Sequence, residues 1–171
     1  MGFYLVGHRY LKAWLESFSG DQVWNLALQT NGDLVACGGA WTTTGEDFFL
    51  VDYSPSGSLE TGFGNAGEVV GPFGGHVVCD LYGMATDASG NIVAGGICGS
   101  SMSYWYAALA RFTATGAPDT TFGYGGYTSN TFGTGCSNFW CMAIQSNGSI
   151  VGAGLAGDGN VTEILVARYL P

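Results

Sequence analysis

Along this chain apolar residues come in short runs rich in Val, Ile, Leu, Phe and Trp, cut by clusters of Asn, Asp, Gly and Ser, and nowhere take the three-to-four spacing of an amphipathic helix of useful length. Three stretches read alike: "QTNGDLVACGG" from residue 29, "TDASGNIVAGG" from residue 86 and "QSNGSIVGAG" from residue 145. Their glycines, Gly32, Gly90 and Gly148, stand 58 residues apart, and the pairs Leu34-Val35, Ile92-Val93 and Ile150-Val151 follow at the same spacing. Upstream lie "VWNLALQ", "LYGMATD" and "FWCMAIQ"; downstream come "FFLVDYSPSG", "AALARFTATG" and "ILVARYLP". A fourth segment, "LETGFGNAGEVVGPF" or "PDTTFGYGGYTSNTF", follows in the first two units and is missing from the third. The units therefore predict strands a to d, the third lacking d, with two-residue hairpin turns at Asn31-Gly32 and Ser89-Gly90, where Gly takes positive φ without a Cβ clash. Four antiparallel strands recurring at this period predict an all-β chain built of β-propeller blades. The units span residues 20–75, 76–133 and 134–171 of one domain.

The motifs "GNIVAGG", "ALARF" with "LVARY", and "PDTTFGYGG" with "LETGFGNAG" are similar to the delta-60 repeat, a bacterial β-propeller repeat. The resemblance runs over roughly residues 20 to 171 and implies a propeller, with no catalytic motif to carry over. It departs in the third unit, which lacks the Thr-Phe-Gly stretch. In the first unit Gly62 replaces the second Thr, and Asp52 stands where the other units have Arg111 and Arg168.

Three blades are few for a ring, and the third ends at strand c, leaving unpaired backbone groups along an edge. The opening "FYLVGHRYL", residues 3–11, predicts a spare strand placed about where a strand d would precede the first unit. The favoured reading is that it completes the third blade of a neighbouring copy, by head-to-tail strand exchange that closes a ring or runs on as a filament. An intramolecular clasp and the truncated strand c of an earlier blade are the alternatives. Candidate assembly residues are Phe3, Tyr4, Leu5, Val6, His8 and Tyr10 at one end and Ile164, Leu165, Val166, Arg168 and Tyr169 at the other.

Charge narrows the partners. Four cations (Arg9, Lys12, Arg111, Arg168) stand against thirteen carboxylates, so nucleic acid and anionic membrane are poor partners. No apolar run approaches the roughly 20 residues of a membrane-spanning helix. The opening segment lacks a basic leading region and a small-residue cleavage site, and reads neither as a signal peptide nor as a myristoylation signal. Scarce Lys and the sequons at Asn147 and Asn160 lean toward an extracellular or cell-surface setting.

Catalytic chemistry finds little support. The five cysteines (Cys37, Cys79, Cys98, Cys136, Cys141) form no CxxC pair, their pairing is open, and zinc is not expected. His8 and His76 are the only imidazoles, with no GxSxG nucleophile motif to serve. Glu46, Asp47, Glu60 and Asp119 are nominees for a glycosidase pair, but Glu60 and Asp119 share one repeat position, where turn capping accounts for them. "GFGNAG" at 62–67 matches GxGxxG but sits between strands, and the acidic turns at 87–91 and 158–160 offer too few oxygens for calcium. Trp41, Tyr104, Trp105, Tyr106, Tyr124, Tyr127, Phe139 and Trp140 lie in or beside variable loops; Trp41, Tyr104, Trp105, Tyr124 and Tyr127 are the candidate sugar-stacking set, while Trp24 and Trp140 on strand a look like core. The expectation is a non-enzymatic, cofactor-free, self-assembling subunit, with a glycan-binding lectin and then a propeller enzyme as rivals.

Overall fold

The computed structural model describes residues 4–5, 11–12, 19–43, 45–101, 103–157 and 161–170. Thirteen strands appear in it: β1 (Tyr4–Leu5), β2 (Leu11–Lys12), β3 (Ser19–Leu28), β4 (Leu34–Trp41), β5 (Glu46–Tyr53), β6 (Glu68–Gly71), β7 (Val78–Thr86), β8 (Ile92–Ser101), β9 (Tyr104–Phe112), β10 (Tyr127–Asn130), β11 (Ser137–Ile144), β12 (Ile150–Gly157) and β13 (Thr162–Tyr169). Antiparallel neighbours run β3-β4-β5-β6 in the first unit, β7-β8-β9-β10 in the second and β11-β12-β13 in the third. A single parallel bridge, Glu46 to Val78, ties the first unit to the second. Among the described residues no strand pairs with the outer edge of β13, and no helix is present.

Two local expectations are corrected. The hairpin turns carry three residues rather than two: the Gln29 N–H donates to the Asp33 carbonyl and the Gly32 N–H to that of Gln29, and the same pair of bonds recurs at Asp87 and at Gln145. Only the glycines take positive φ (91°, 81° and 83°), whereas a two-residue type I′ turn needs two such residues in succession. One Gly per turn therefore selects a type I turn closed by a left-handed glycine. At the opening of the chain, Tyr4 and Leu5 pair with Lys12 and Leu11, so a single strand over 3–11 is not formed. A partner a few residues away is reached at small loop-closure cost. Phe3, Val6, His8 and Tyr10 lie outside the described residues.

The core forms between the units. The forward face of the first, Val35, Cys37, Phe48 and Leu50, meets the rear face of the second, Leu81, Met84, Ala108, Ala110 and Phe112. The forward face of the second, Val93, Ala107 and Leu109, meets Phe139, Ile150 and Leu165 of the third. Strand alternation thus gives each sheet two apolar faces, one for each neighbour. Cys79 and Cys98, opposite each other on β7 and β8, form a disulfide on the rear face of the second unit. Cys37 is buried, Cys136 half-buried and Cys141 exposed, all as thiols.

The first strand of every unit carries a bulge at the same repeat position: the register shifts across Trp24 in β3, Tyr82 in β7 and Trp140 in β11. Each brings the carbonyl of the residue two positions earlier against a glycine of the next strand. A Cβ at Gly38, Gly96 or Gly154 would stand 1.8, 1.9 or 2.0 Å from the carbonyl oxygen of Gln22, Asp80 or Asn138. These three glycines are also 58 residues apart, so the repeat preserves the bulge together with the space it needs. Gly96→Ala is therefore expected to lower stability by about 2–3 kcal/mol or more. Gly62→Ala, at a site with nothing within 4 Å of the added methyl, is expected to change it by less than about 0.5 kcal/mol. Thermal unfolding of the two variants checks this; equal midpoints would refute the bulge constraint.

Candidate functional site

The three bulges push one aromatic side chain per unit out of the sheet-to-sheet core and into a row. Tyr82 stacks on Trp140, with centroids 4.6 Å apart, and meets Trp24 edge-on at 5.5 Å. Trp24 and Trp140, expected in the core, are 47% and 44% exposed. The reason is the extra residue of the bulge, which breaks the inside–outside alternation at that position. Both ends of the row are consequently open to solvent.

Beneath the row lies Asp80, which the sequence did not single out. It is buried where the second unit meets the first, and its carboxyl fills the space that the absent side chain of Gly39 leaves: a Cβ there would be 2.7 Å from Oδ1. The Trp24 Nε1–H donates to Oδ2 at 2.8 Å, while Oδ1 is buried without a hydrogen-bond partner. Burial pushes this carboxyl up to about 7; the Trp24 N–H pulls the other way and the nearby charge of Glu46 adds to the rise. A signal was available in the repeat, since Gln22, Asp80 and Asn138 are equivalent and only one is acidic.

Two apolar surfaces mark the ends of the stack. On β3, Val23, Leu26 and Leu28 are 57%, 60% and 70% exposed. Their equivalents are Leu81 and Met84, and Phe139, Met142 and Ile144, which pack on the preceding unit. On β13, Ile164 and Val166 are 85% and 66% exposed. Their equivalents, Phe48 and Leu50, and Ala107 and Leu109, pack on the following unit. The rest of the first unit's rear face, Ala36, Ala40, Phe49, Val51 and Tyr53, forms its own cluster with Leu59. Of the candidate assembly residues on β13, Ile164, Val166 and Arg168 face outward, whereas Leu165 and Tyr169 pack on the second unit. The Tyr169 hydroxyl also donates to Asn130 Oδ1 at 2.7 Å.

The other candidates scatter. Trp41 is exposed at the end of β4, where its ring covers Gly20, and Tyr104 is exposed at the start of β9, edge-on to Tyr106. Trp105 is half-buried and Tyr124 stands exposed in the loop before β10. Tyr127 stacks on Phe73 at 5.4 Å and belongs to the core. Asp119 pairs with Arg111 at 2.7 Å and accepts the Thr121 N–H, which caps its turn as anticipated. In the first unit Asp52 and Glu60 occupy those two positions without the arginine; burial first, then the charges of Asp33 and Glu60, push Asp52 up to about 6. Asp47 is buried and accepts the Thr42 hydroxyl at 2.8 Å; burial raises Glu46. His76 lies 6.5 Å from the Tyr106 ring. Asp87 accepts the N–H groups of Ser89 and Asn91 and so shapes its own turn. "GFGNAG" links β5 to β6. Asn147 is exposed in its turn and accepts the Ser149 N–H; Asn160 lies outside the described residues.

A cleft of about 510 Å³ opens between the hairpin turns of the second and third units, lined by Asp87, Asn91, Arg111 and Gln145 over Val93 and Ile150. None of the five nominated aromatics lines it. No cluster of three or more metal-binding side chains exists among the described residues. Among the described residues no helix is long and apolar enough to cross a membrane. A family model described as "Domain of unknown function (DUF5122) beta-propeller" matches residues 88–122, from the turn before β8 to Phe122. No curated protein matches the chain. With the all-β architecture, that match supports a β-propeller family.

Asp80 makes stability depend on pH in a fixed direction. A carboxyl whose pKa is higher folded than unfolded binds more protons when folded, so stability falls as pH rises from about 4 to about 7 and is level above that. Asp80→Asn keeps an acceptor for Trp24 and removes the titration. Unfolding midpoints measured from pH 4 to 8 are expected to fall less steeply in the variant than in the parent; parallel curves would exclude Asp80 as a source of the slope.

Proposed function

We propose that this chain is a non-enzymatic β-propeller subunit that joins further copies of itself head-to-tail, as a closed ring or a filament, outside the cell or at its surface. The observation that carries the reading is the pair of end faces. The packing made twice inside the chain, strand a of one unit on the forward face of the unit before it, leaves one half over at each end. β3 of one copy set against β13 of another repeats that packing, and the contact is heterologous, since two different surfaces meet. In this reading each unit is a propeller blade and the third lacks its fourth strand. The open edge of β13 is then where a neighbour's strand adds, and the proposed donor is the opening segment, which would exchange its own Tyr4–Leu5 to Leu11–Lys12 pairing for that edge.

Magnitudes favour more than one kind of contact. Covering Val23, Leu26, Leu28, Ile164 and Val166 is worth roughly 5–10 kcal/mol gross. Association costs on the order of 4–15 kcal/mol in lost freedom, so the apolar faces alone hold copies weakly and added backbone pairing or a well-packed anchor is needed. The low charge of the chain fits a surface largely given over to such contacts, because charged groups are depleted at interface cores. The Cys79–Cys98 disulfide supports an oxidising compartment.

Light scattering across a concentration series tests the reading. The parent is expected to grow beyond a monomer, and both Leu26→Asp, which spoils the rear face, and Val166→Asp, which spoils the forward face, to remain monomeric. An equimolar mixture of the two variants keeps one sound forward face and one sound rear face, and is expected to stop at a heterodimer of twice the monomer mass. A parent that stays monomeric at every concentration sinks the proposal. A mixture that stays monomeric while the parent grows excludes these faces. Deleting residues 1–11 is expected to weaken assembly, and growth unchanged by that deletion removes strand donation from the proposal.

A further inference from the structure

The row of bulged aromatics has two open ends, and they lie beside the two open faces. Within the chain each junction brings together the bulge aromatics of adjacent units: Trp24 against Tyr82 at 5.5 Å, and Tyr82 against Trp140 at 4.6 Å. The ring therefore travels with the junction, whatever else changes there. Asp80, which accepts the indole N–H at the first junction, is replaced at the second by Asn138, whose Oδ1 accepts the Leu155 N–H instead. The aromatic contact persists in both, as edge-on packing in one and as a stack in the other.

Resting on the head-to-tail reading above, we infer that the aromatic row runs on from copy to copy, with Trp140 of one copy packing against Trp24 of the next as the anchor that fixes how the two register. The argument has three parts. Trp24 and Trp140 occupy one repeat position, so a junction built like the internal ones brings them together. Both rings are nearly half exposed, and each meets Tyr82 of the unit between them. Interfaces concentrate their affinity in a few buried aromatics, Trp foremost, ringed by contacts that chiefly exclude water. Val23, Leu26 and Leu28 on one copy, and Ile164, Val166 and the exposed Leu155 on the other, would supply that ring.

The mixture of Leu26→Asp and Val166→Asp chains isolates a single junction, because only one forward face and one rear face in it are sound. Trp140→Ala is added to the Leu26→Asp chain, whose forward face is used, and Trp24→Ala to the Val166→Asp chain, whose rear face is used. Dissociation constants of the heterodimer are then measured for the four combinations. Each single replacement is expected to weaken binding about tenfold or more. The double replacement is expected to fall short of the product of the two by a coupling of about twofold to tenfold, the range of an aromatic pair. Because the coupling compares the two chains with each other, loss of Tyr82 packing within either one cancels. Tyr124→Ala, in the second unit's exposed loop before β10 and so on neither end face, is expected to leave the constant unchanged. Losses that multiply with a coupling of one overturn this inference and leave the head-to-tail reading standing. A mixture that never associates overturns both.

Discussion

A sheet that is apolar on both faces needs a neighbour on each side, and that requirement organises this molecule. Inside the chain it is met twice. The first unit closes on the second through Val35, Cys37, Phe48 and Leu50 against Leu81, Met84 and Phe112, and the second closes on the third around Phe139 and Leu165. Antiparallel sheets often leave one face to water, with polar side chains alternating there. Here the outward residues of β13 include Ile164 and Val166, and those of β3 include Val23, Leu26 and Leu28, none of which suits solvent. The first and third units leave exposed the positions whose equivalents are covered within the chain, and the proposal of a second copy follows from that mismatch.

The bulge sets how the first strand of each unit sits against the second. Where the register slips, a carbonyl crosses toward the partner strand, and only glycine at 38, 96 and 154 leaves it room. The same slip releases one side chain from the alternation, and all three units place an aromatic ring there. Thus a single backbone irregularity, repeated, accounts both for a set of glycines and for a continuous row of rings along the inner strands. Gly83 belongs to the same economy of space: a Cβ there would fall 2.6 Å from the Trp140 carbonyl of the following unit.

Much of this was legible beforehand. The 58-residue spacing located the strands, the hairpins and the missing fourth segment of the last unit, because turn glycines and apolar pairs recur without drift. The failures have physical causes. Trp24 and Trp140 were read as core because period-two alternation cannot register a one-residue bulge, although the recurring Gly38, Gly96 and Gly154 held the clue. Asn31-Gly32 was read as a two-residue turn because that dipeptide favours one, and the hydrogen bonds that make it a three-residue loop depend on where the flanking strands pair. Tyr127 was grouped with loop aromatics on sequence position, yet Phe73 from the end of the first unit reaches across to stack on it. Cys79 and Cys98 are opposed only once β7 and β8 are in register, which spacing alone does not reveal.

Asymmetry laid over the repeat then distinguishes one junction from another. At a single equivalent position the three units carry Gly39, Ile97 and Leu155. Gly39 admits the Asp80 carboxyl, Ile97 is buried, and Leu155 remains exposed. The Asp80 carboxyl fills the space that a side chain at position 39 would take, and a carboxyl displaced from it would lose its Trp24 donor. Such a loss is costly for a group that water no longer reaches. Identical junctions would let units pair in any order, in folding and in association alike. Placing the demanding polar contact at an internal junction favours the second unit packing on the first over any other pairing.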